Sequence, residues 1–369
     1  MAQAGMIDKS SADTAAGLSL TALILFGTRF VQGFIFWGGA TRRLIYDFHS
    51  VDGVDKALKL DFNAPGFVAA KLTHALPGAL WVQAPIEWTL RHPDLIVSSV
   101  WLWTIAELAV GLGLMLGLLT RASALVSLGL NVTLMLIFGW MGSTCLDEWT
   151  MAVSGVAMSS AVFVAGGGAW SVDERFIAPT SWAQRSPWIA WICSGPLPAA
   201  TTHKLALWLS GVSIAFTLLT YHILFGAVLT PLHSRVNFHR HDIALTHAAL
   251  AADGGVTFDA YVDAGPDTGA AYIVAAKLLD ASGAVAAQRD GAALAALSPD
   301  AIRNAYPYAW ASRFRSERIG FSGQTGARAA ITLPAPAGAN IAPGQNDVFV
   351  LEAIDGDRWQ TNIGSVPAR

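Results

Sequence analysis

The chain has few charged residues and few cysteines for its length. Only 13% of its 369 residues are Asp, Glu, Lys or Arg, whereas soluble domains usually contain about a quarter. Between Leu95 and Leu146 the only ionised side chains are those of Glu107 and Arg121. Because 53% of the residues are apolar, this shortage of charge predicts a membrane protein.

Three absences narrow the class of protein. The two cysteines, Cys145 and Cys193, are too few for a disulfide framework. The net charge is -3 and no long basic run is present, so nucleic acid is not an expected partner. Residues 1–16 form a polar tail that lacks the basic region of a cleavable signal peptide.

Five segments are apolar over the ~20 residues that a helix needs to cross a bilayer. We predict a four-helix transmembrane domain over 17–200, with a long loop at 39–94 after its first helix. A fifth, anchoring helix is predicted within 201–231. The five predicted spans are 17–38, 95–119, 122–141, 149–168 and 205–229.

The long loop and the C-terminal region have different patterns. Trp81 and Trp88, interspersed with leucines, predict an interfacial helix in the loop. Residues 232–369 alternate apolar and polar positions between Gly, Pro, Asn and Asp turns, which predicts a small extramembrane β-sandwich. One helical interruption is predicted there, beginning at Ser298-Pro299.

Five spans place the two chain ends on opposite sides of the membrane. The long loop, the turn at Cys145 and the β domain then share one face, while Cys193 lies on the other, so the cysteines cannot pair. Lys and Arg counts are similar on both faces and do not fix the orientation. The flanks of the fifth span, "THKL" and "TPLH", resemble a signal anchor and favour an extracytoplasmic β domain.

The stretch "GWMGSTCLDEWTMA" places a cysteine beside two carboxylates where two predicted spans meet. Asp147 and Glu148 suit an ordinary helix start, because acidic residues there complement the helix dipole. The same two carboxylates also suit a reactive site at Cys145, because the pKa of the Cys145 thiol depends on the charges beside it.

Arginines and one glutamate stand out within and beside the spans. Arg29 and Glu107 lie at matching depth by residue count, and intramembrane charges usually face a partner or a wet cavity. They would form either a buried ion pair between two helices or a path for protons or anions. Arg42 and Arg43, just beyond the first span, are either residues that snorkel to the surface or the positive edge of an anion site.

Motifs for other cofactors are weak. His222 is the only histidine within a span, whereas an intramembrane haem normally needs two. "HRH" at 239–241 is a poor metal signature, and no flavin, iron–sulfur or P-loop motif occurs. We therefore expect no haem, flavin or metal. The glycines of "GLGLMLG" in the second span favour close helix packing.

Several stretches resemble a known family. "GTRFVQGFIFWGGATRR" and "GWMGSTCLDEWTMAVSGVAM...GGGAWSVDE" resemble DoxD, a small subunit of thiosulfate:quinone oxidoreductase. "RNAYPYAWASRFRSERIGFSGQTGARAAITLP" and "FVLEAIDGDRWQTNIG" resemble the partner subunit DoxA. The chain thus resembles a DoxD–DoxA fusion, with 17–200 DoxD-like and 232–369 DoxA-like.

The resemblance implies an inner-membrane enzyme that oxidises thiosulfate to tetrathionate and reduces a ubiquinone- or menaquinone-like quinone. It is also compatible with a homo-oligomer or with association with a terminal oxidase. A hypothesis under this resemblance is that the Cys145 thiolate carries a covalent sulfur adduct. The expected roles are catalysis by Cys145, Asp147, Glu148 and Glu107, thiosulfate binding by Arg29, Arg42 and Arg43, and a quinone pocket at Trp37, Trp103, Trp140 and Trp149.

Two alternatives stay open at this point. The four-helix part also resembles the broader DoxX-like proteins, some of which look like accessory subunits of respiratory complexes. The chain would then be a non-catalytic adaptor, with the β domain as its docking module. An anion transporter or channel that uses Arg29 and Glu107 is the third possibility. Turnover of thiosulfate with a quinone separates the enzyme from both alternatives.

Overall fold

The computed structural model divides the chain into two compact units. We call them the membrane unit, Met1–Asp61, Val97–Gly139 and Leu146–Leu232, and the sandwich unit, Phe62–Ile96, Trp140–Cys145 and His233–Arg369. The structure describes residues 16–17, 20–141, 147–195, 197–225, 240–251, 253–266, 269–306, 308–336 and 347–365.

Helices dominate the described residues up to Phe225, and a further short helix follows in the sandwich unit. The helices are α1 (Phe26–Leu44), α2 (Ala70–Ala75), α3 (Gln83–Leu90), α4 (Pro93–Leu116), α5 (Thr120–Phe138), α6 (Asp147–Ala165), α7 (Ser181–Arg185), α8 (Ile189–Ile192), α9 (Ala199–Phe225) and α10 (Gly291–Ala295). Among the described residues, four of these are long and apolar enough to cross a membrane: α4, α5, α6 and α9. This confirms four of the five predicted spans.

The first predicted span, 17–38, differs from the other four. Its described residues lead into α1, which ends at Leu44 and contains Arg29, Arg42 and Arg43. This helix is not among the four that meet the length and composition needed for a membrane span. Three arginines in 19 residues are the physical reason, because each charged side chain is costly in lipid.

Glycines bring α1 and α4 close together. A Cβ atom on Gly33 would lie 2.8 Å from the carbonyl oxygen of Gly111, and one on Gly111 would lie 2.7 Å from the backbone nitrogen of Trp37. Neither helix has room for a larger side chain at this crossing. The predicted role of the glycine-rich stretch in close helix packing is confirmed.

A buried polar network joins α1, α5 and α6. Gln32 donates from Nε2 to Ser127 Oγ at 3.1 Å, and Ser127 and Ser159 share a hydrogen bond of 2.7 Å. Asn131 donates to the Ser127 carbonyl at 2.8 Å and packs on Gly155. All four polar side chains are almost fully buried, so the network joins the helices as hydrogen bonds do within bilayers.

Residues 62–96 belong to the sandwich unit. Instead of the predicted single interfacial helix they form α2, a 3-10 turn at Leu76–Gly78, and α3. Tyr308 donates from its hydroxyl to the Leu90 carbonyl at 2.6 Å, and its ring lies 5.0 Å from that of Phe62. Trp81 and Trp88 are exposed, and their place at a membrane surface stays a prediction.

The C-terminal region folds as the predicted β-sandwich. The strands are β1 (Phe48–Val51), β2 (Val54–Ala57), β3 (Asp242–Leu250), β4 (Val256–Ala264), β5 (Ala270–Leu279), β6 (Val285–Arg289), β7 (Ile302–Asn304), β8 (Phe314–Ser316), β9 (Phe321–Gln324), β10 (Arg328–Leu333), β11 (Val348–Ala353), β12 (Arg358–Asn362) and β13 (Gly364–Ser365). β1 and β2 form a separate hairpin in the membrane unit. One sheet has the order β13-β3-β4-β10-β7, and the other has the order β12-β11-β5-β9-β8 with β6 also paired to β5.

A single apolar core fills the space between the two sheets. Alternate residues of β4 are buried, as expected for a strand with one face on a core. Phe258 of β4 meets Phe349 of β11 with ring centroids 4.7 Å apart, and both belong to the same buried cluster. The core therefore draws on both sheets, which defines a sandwich.

The predicted helical interruption after Ser298 is wrong. The chain forms a 3-10 turn at Pro299–Ala301 and then the short strands β7 and β8. Asn304 holds the two strands together, because its side chain donates to the Phe314 carbonyl at 2.9 Å and accepts from the Phe314 N–H at 2.8 Å. These tertiary contacts override the local helical pattern.

Candidate functional site

A charged cluster lies between the C-terminal part of α1 and the middle of α4. Arg43 forms an ion pair with Glu107 through Nη2 and Oε2, and both side chains are mostly buried, with 13% and 9% exposed. Arg43 also donates from Nε to Thr104 Oγ1 at 3.0 Å. The other carboxylate oxygen of Glu107 accepts from Trp103 Nε1 at 2.7 Å. The cluster thus surrounds one carboxylate with a cation and an indole N–H.

The local sequence explains this arrangement. Trp103 and Glu107 are four residues apart on α4 and therefore share a face of the helix. Gly39 on α1 leaves room for the carboxylate, because a Cβ atom there would lie 3.2 Å from Glu107 Oε2. The Arg43 guanidinium beside this carboxylate has further N–H groups that are donors for an oxyanion or a carbonyl.

The alternative that paired Arg29 with Glu107 is wrong. Arg29 precedes Arg43 by fourteen residues on α1, which is about 21 Å along the helix axis. Its guanidinium donates to the carbonyls of Leu114 at 2.6 Å and of Trp170 at 2.9 Å. Arg29 and Arg43 therefore do not stand together at one edge of a site, whereas Arg42 adjoins Arg43 and is exposed.

The second buried charge cluster fastens the segment after α6 to the start of α5. Asp173 accepts from the N–H groups of Leu119 at 2.7 Å and Thr120 at 2.8 Å. It also accepts from the hydroxyls of Thr120 at 2.7 Å and Ser194 at 3.0 Å. Because Asp173 satisfies N–H groups at the start of α5, it acts as a cap and complements the helix dipole.

Arg121 belongs to the same structural cluster. Its guanidinium donates to the carbonyls of Phe163 at 2.9 Å and Gly195 at 3.0 Å, and the side chain is fully buried. These bonds satisfy carbonyls near the end of α6 and beyond α8. We assign a structural role to Arg121 and Asp173, which hold together the end of the helix bundle where α5 begins and α6 ends. We call this region the bundle end. The sequence did not predict this role.

Cys193 lies beside this cluster and is almost fully buried. Burial, and then the neighbouring Asp173 carboxylate, raise the pKa of the Cys193 thiol to about 11. A thiol with so high a pKa is a poor nucleophile at neutral pH. Cys193 therefore has the properties of a structural cysteine.

The cysteine turn lies partly outside the described residues. Cys145 lies outside the described residues, as do the side-chain contacts of Asp147. The structure begins α6 at Asp147, which matches the predicted helix start, and Glu148 is half-buried in the first turn. The catalytic roles of these three residues stay predictions.

The four tryptophans assigned to a quinone pocket have different surroundings. Trp103 bonds Glu107, and Trp37 is half-buried where α1 crosses α4. Trp149 donates to Thr220 Oγ1 at 3.1 Å and so joins α6 to α9. Trp140 belongs to the sandwich unit, where its ring packs on Gly78 and its Nε1 donates to the Ala75 carbonyl at 2.8 Å.

A third cluster, in the sandwich unit, was not anticipated from the sequence. Glu87 of α3 accepts from Arg91 and from Arg328 of β10, each at 2.6 Å. Arg328 also lies over the ring of Tyr261, 4.2 Å from its centroid. The hydrogen bond from Arg91 and the charge of Arg328 lower the pKa of Glu87, with burial opposing them. A cavity of about 280 Å³ adjoins the cluster.

Comparisons with known families account for both units. A family model described as "TQO small subunit DoxD" matches residues 25–208, and one described as "TQO small subunit DoxA" matches residues 225–362. The chain is a DoxD–DoxA fusion. No solved structure matches it.

The family boundary does not coincide with the boundary between the two units. Residues 62–96 fall within the DoxD match but belong to the sandwich unit, whose strands β3 to β12 fall within the DoxA match. The bond between Glu87 and Arg328 therefore joins a DoxD residue to a DoxA residue. All residues of the Arg43–Glu107 cluster lie within the part of the chain that matches DoxD, residues 25–208.

Proposed function

We propose that the fusion is a membrane thiosulfate:quinone oxidoreductase. The observation that supports this most directly is that one chain joins the two TQO small-subunit families, DoxD and DoxA. In the proposed reaction, two thiosulfate dianions each lose one electron and join through a new sulfur–sulfur bond, which gives tetrathionate. A quinone takes up the two electrons and two protons and becomes quinol.

We assign quinone reduction to the Arg43–Glu107 cluster. The reaction consumes protons, and Glu107 is a mostly buried carboxylate that is able to deliver them. Arg43 has further N–H groups that are donors for a quinone carbonyl, and the apolar α4 that bears Trp103 suits a lipid-soluble ring. Trp37 and Trp149 remain candidates for lining the proposed quinone pocket.

Thiosulfate binding is assigned to Arg42 and Arg43. The two are adjacent at the end of α1, and Arg42 is exposed, so a soluble dianion has access to the positive charge. Arg29 was expected to join them, but its guanidinium is bonded to backbone carbonyls near the opposite end of α1. We therefore propose a structural role for Arg29.

Cys145 is the proposed site of sulfur chemistry. Its thiolate and the outer sulfur of one thiosulfate form a bond, and the two electrons released pass to the quinone. A second thiosulfate then attacks that outer sulfur, the bond to Cys145 breaks, and tetrathionate leaves with the thiolate restored. Asp147 and Glu148 would relay protons beside it.

The proposed setting is the inner cell membrane, with the sandwich on the extracytoplasmic side. Four helices of the described chain are suited to a bilayer, and the flanks of the predicted fifth span, 205–229, resemble a signal anchor. Thiosulfate and the membrane quinone pool would then be partners of the same chain.

The test is reduction of a quinone analogue by the purified, detergent-solubilised chain, with and without thiosulfate, together with an assay of tetrathionate. We expect thiosulfate-dependent reduction with one tetrathionate formed per quinone reduced. Cys145→Ser should abolish this turnover while folding and quinone binding persist, and an active serine variant would refute the covalent step. A folded, quinone-loaded chain without turnover would instead favour the adaptor reading.

A further inference from the structure

The segment between α6 and α9 exposes an unusual number of aromatic side chains. Five of them lie within 22 residues, and each is between 44% and 70% exposed. We call them the aromatic set: Trp170, Phe176, Trp182, Trp188 and Trp191. Aromatic side chains of this size are normally buried in a folded protein, so their exposure needs a reason.

The same segment is firmly attached to the bundle on its other side. Asp173 caps α5, Arg121 donates to the carbonyls of Ala190 and Gly195, and Ile189 is buried. The aromatic set is thus held outward by a fixed backbone and does not result from a loose loop.

The position of the segment in the chain indicates the environment of the aromatic set. It follows α6 and precedes α9, and both helices are suited to crossing a membrane. A segment between two such helices begins and ends at a membrane surface. α6 has 19 residues, about 28 Å of helix, which is close to the ~30 Å thickness of the hydrocarbon layer.

We propose that the aromatic set contacts lipid at the membrane–water interface and anchors this end of the bundle there. Tryptophan is enriched at this depth because its ring is apolar and its N–H is polar. The exposed Arg175 and Arg185 supply charges for lipid phosphates, and the exposed Glu174 would face water. The occupant of this surface is therefore phospholipid and not a second protein.

The anchor also explains Arg29. Its guanidinium donates to the carbonyl of Trp170, a member of the aromatic set. Arg29 would then lie near the interface and not at the centre of the bilayer, where its charge would be most costly. This conclusion does not depend on thiosulfate turnover.

The test uses nitroxide labels on the full chain in lipid nanodiscs. Single cysteines replace Trp182 or Trp188 in a Cys145→Ser/Cys193→Ala background, and a label at Gln288, an exposed polar residue of β6, is the reference. We expect the ratio of collisions with oxygen to collisions with a water-soluble nickel chelate to be roughly threefold or more above that at Gln288. A ratio equal to that at Gln288 means that the set faces water. Exclusion of both reagents means that protein covers it. Either result overturns the proposal.

A second measurement avoids cysteine substitution. Brominated phospholipids should quench tryptophan emission of the unmodified chain, and Trp182→Phe/Trp188→Phe should lower the quenched fraction. An unchanged fraction would also overturn the proposal, and circular dichroism verifies that the variant has folded.

Discussion

Arg43 on α1 and Glu107 on α4 form a mostly buried ion pair, and Trp103 donates to the carboxylate from the same helix as Glu107. The pair links two helices that are already in close contact at Gly33 and Gly111. It joins a cation and an acid at the cluster to which we assign quinone reduction. Its structural and catalytic roles are separable by experiment.

Replacing Glu107 by Gln should lower both stability and turnover. Removal of one partner from a buried pair costs about 3–5 kcal/mol, because the other charge is left uncompensated, and loss of a proton donor lowers turnover about 100-fold or more. Thermal unfolding in detergent and the quinone assay measure the two effects. Glu174→Gln, which changes an exposed carboxylate, should alter neither.

The double variant Arg43→Gln/Glu107→Gln distinguishes the two roles of the pair. It removes both charges, so we expect much of the stability lost in Glu107→Gln to return, while turnover stays low because the proposed proton donor and the proposed binding cation are both absent. Recovery of turnover together with stability would show that Glu107 has only a structural role.

Replacing Asp173 by Asn should destabilise the bundle end without a specific effect on the reaction. The amide keeps one acceptor oxygen but loses the charge and the second acceptor, which together bond Leu119, Thr120 and Ser194. Loss of a helix cap costs about 1–2 kcal/mol. The variant should therefore unfold at lower temperature than wild type, with an unchanged KM for thiosulfate. A shift in KM with unchanged stability would contradict the capping role.

The Arg328–Glu87 bond should make the attachment of α3 to the sandwich sensitive to acid. The pKa of Glu87 in the folded chain lies below its ordinary value of 4.5, so its stabilising contribution is present above that value. The contribution is lost as the pH falls through the lower, folded-state pKa. Glu87→Gln should be less stable than wild type at pH 7, and the difference should shrink below about pH 4.5.

Unfolding curves of wild type and of Glu87→Gln, recorded between pH 7 and pH 3, measure the difference in stability between them. Asp300→Asn, at an exposed carboxylate of the sandwich unit, is the control and should follow wild type throughout. A difference between wild type and Glu87→Gln that does not change with pH would show that the glutamine variant loses packing and not charge.

Sequence patterns predicted the elements of the fold better than their contacts. The length of their apolar runs identified α4, α5, α6 and α9, and the alternation of apolar and polar residues identified the sandwich. Both patterns follow directly from which residues are kept away from water. Residue counting placed Arg29 and Glu107 at matching depth, whereas the residue that faces Glu107 is Arg43. The attachment of residues 62–96 depends on single tertiary bonds, such as that of Tyr308 to Leu90, which leave no periodic signal.

Replacing Gly111 by Ala should disturb the crossing of α1 and α4. The added Cβ atom would lie 2.7 Å from the backbone nitrogen of Trp37, so the helices must separate, and overpacking of this kind typically costs about 1–3 kcal/mol. Gly129→Ala on α5 is the matched control, because among the described residues no atom beyond the neighbouring backbone of α5 lies within 4 Å of its added Cβ. Thermal unfolding should separate the two variants, and equal stabilities would contradict the close crossing.

The two cysteines should differ in reactivity if Cys145 is the sulfur-handling thiol. Cys193 is buried with a pKa of about 11, so at pH 8 only about one thiol in a thousand is ionised. We expect a maleimide to leave Cys193 unmodified in the folded chain and to modify it after unfolding, as read by mass spectrometry of peptides. Pre-treatment with thiosulfate and quinone should protect Cys145 under the covalent hypothesis, whereas Cys145→Ser should show no labelling in the folded state. Rapid labelling of Cys193 in the folded chain would contradict its burial and remove the reason for assigning it a structural role.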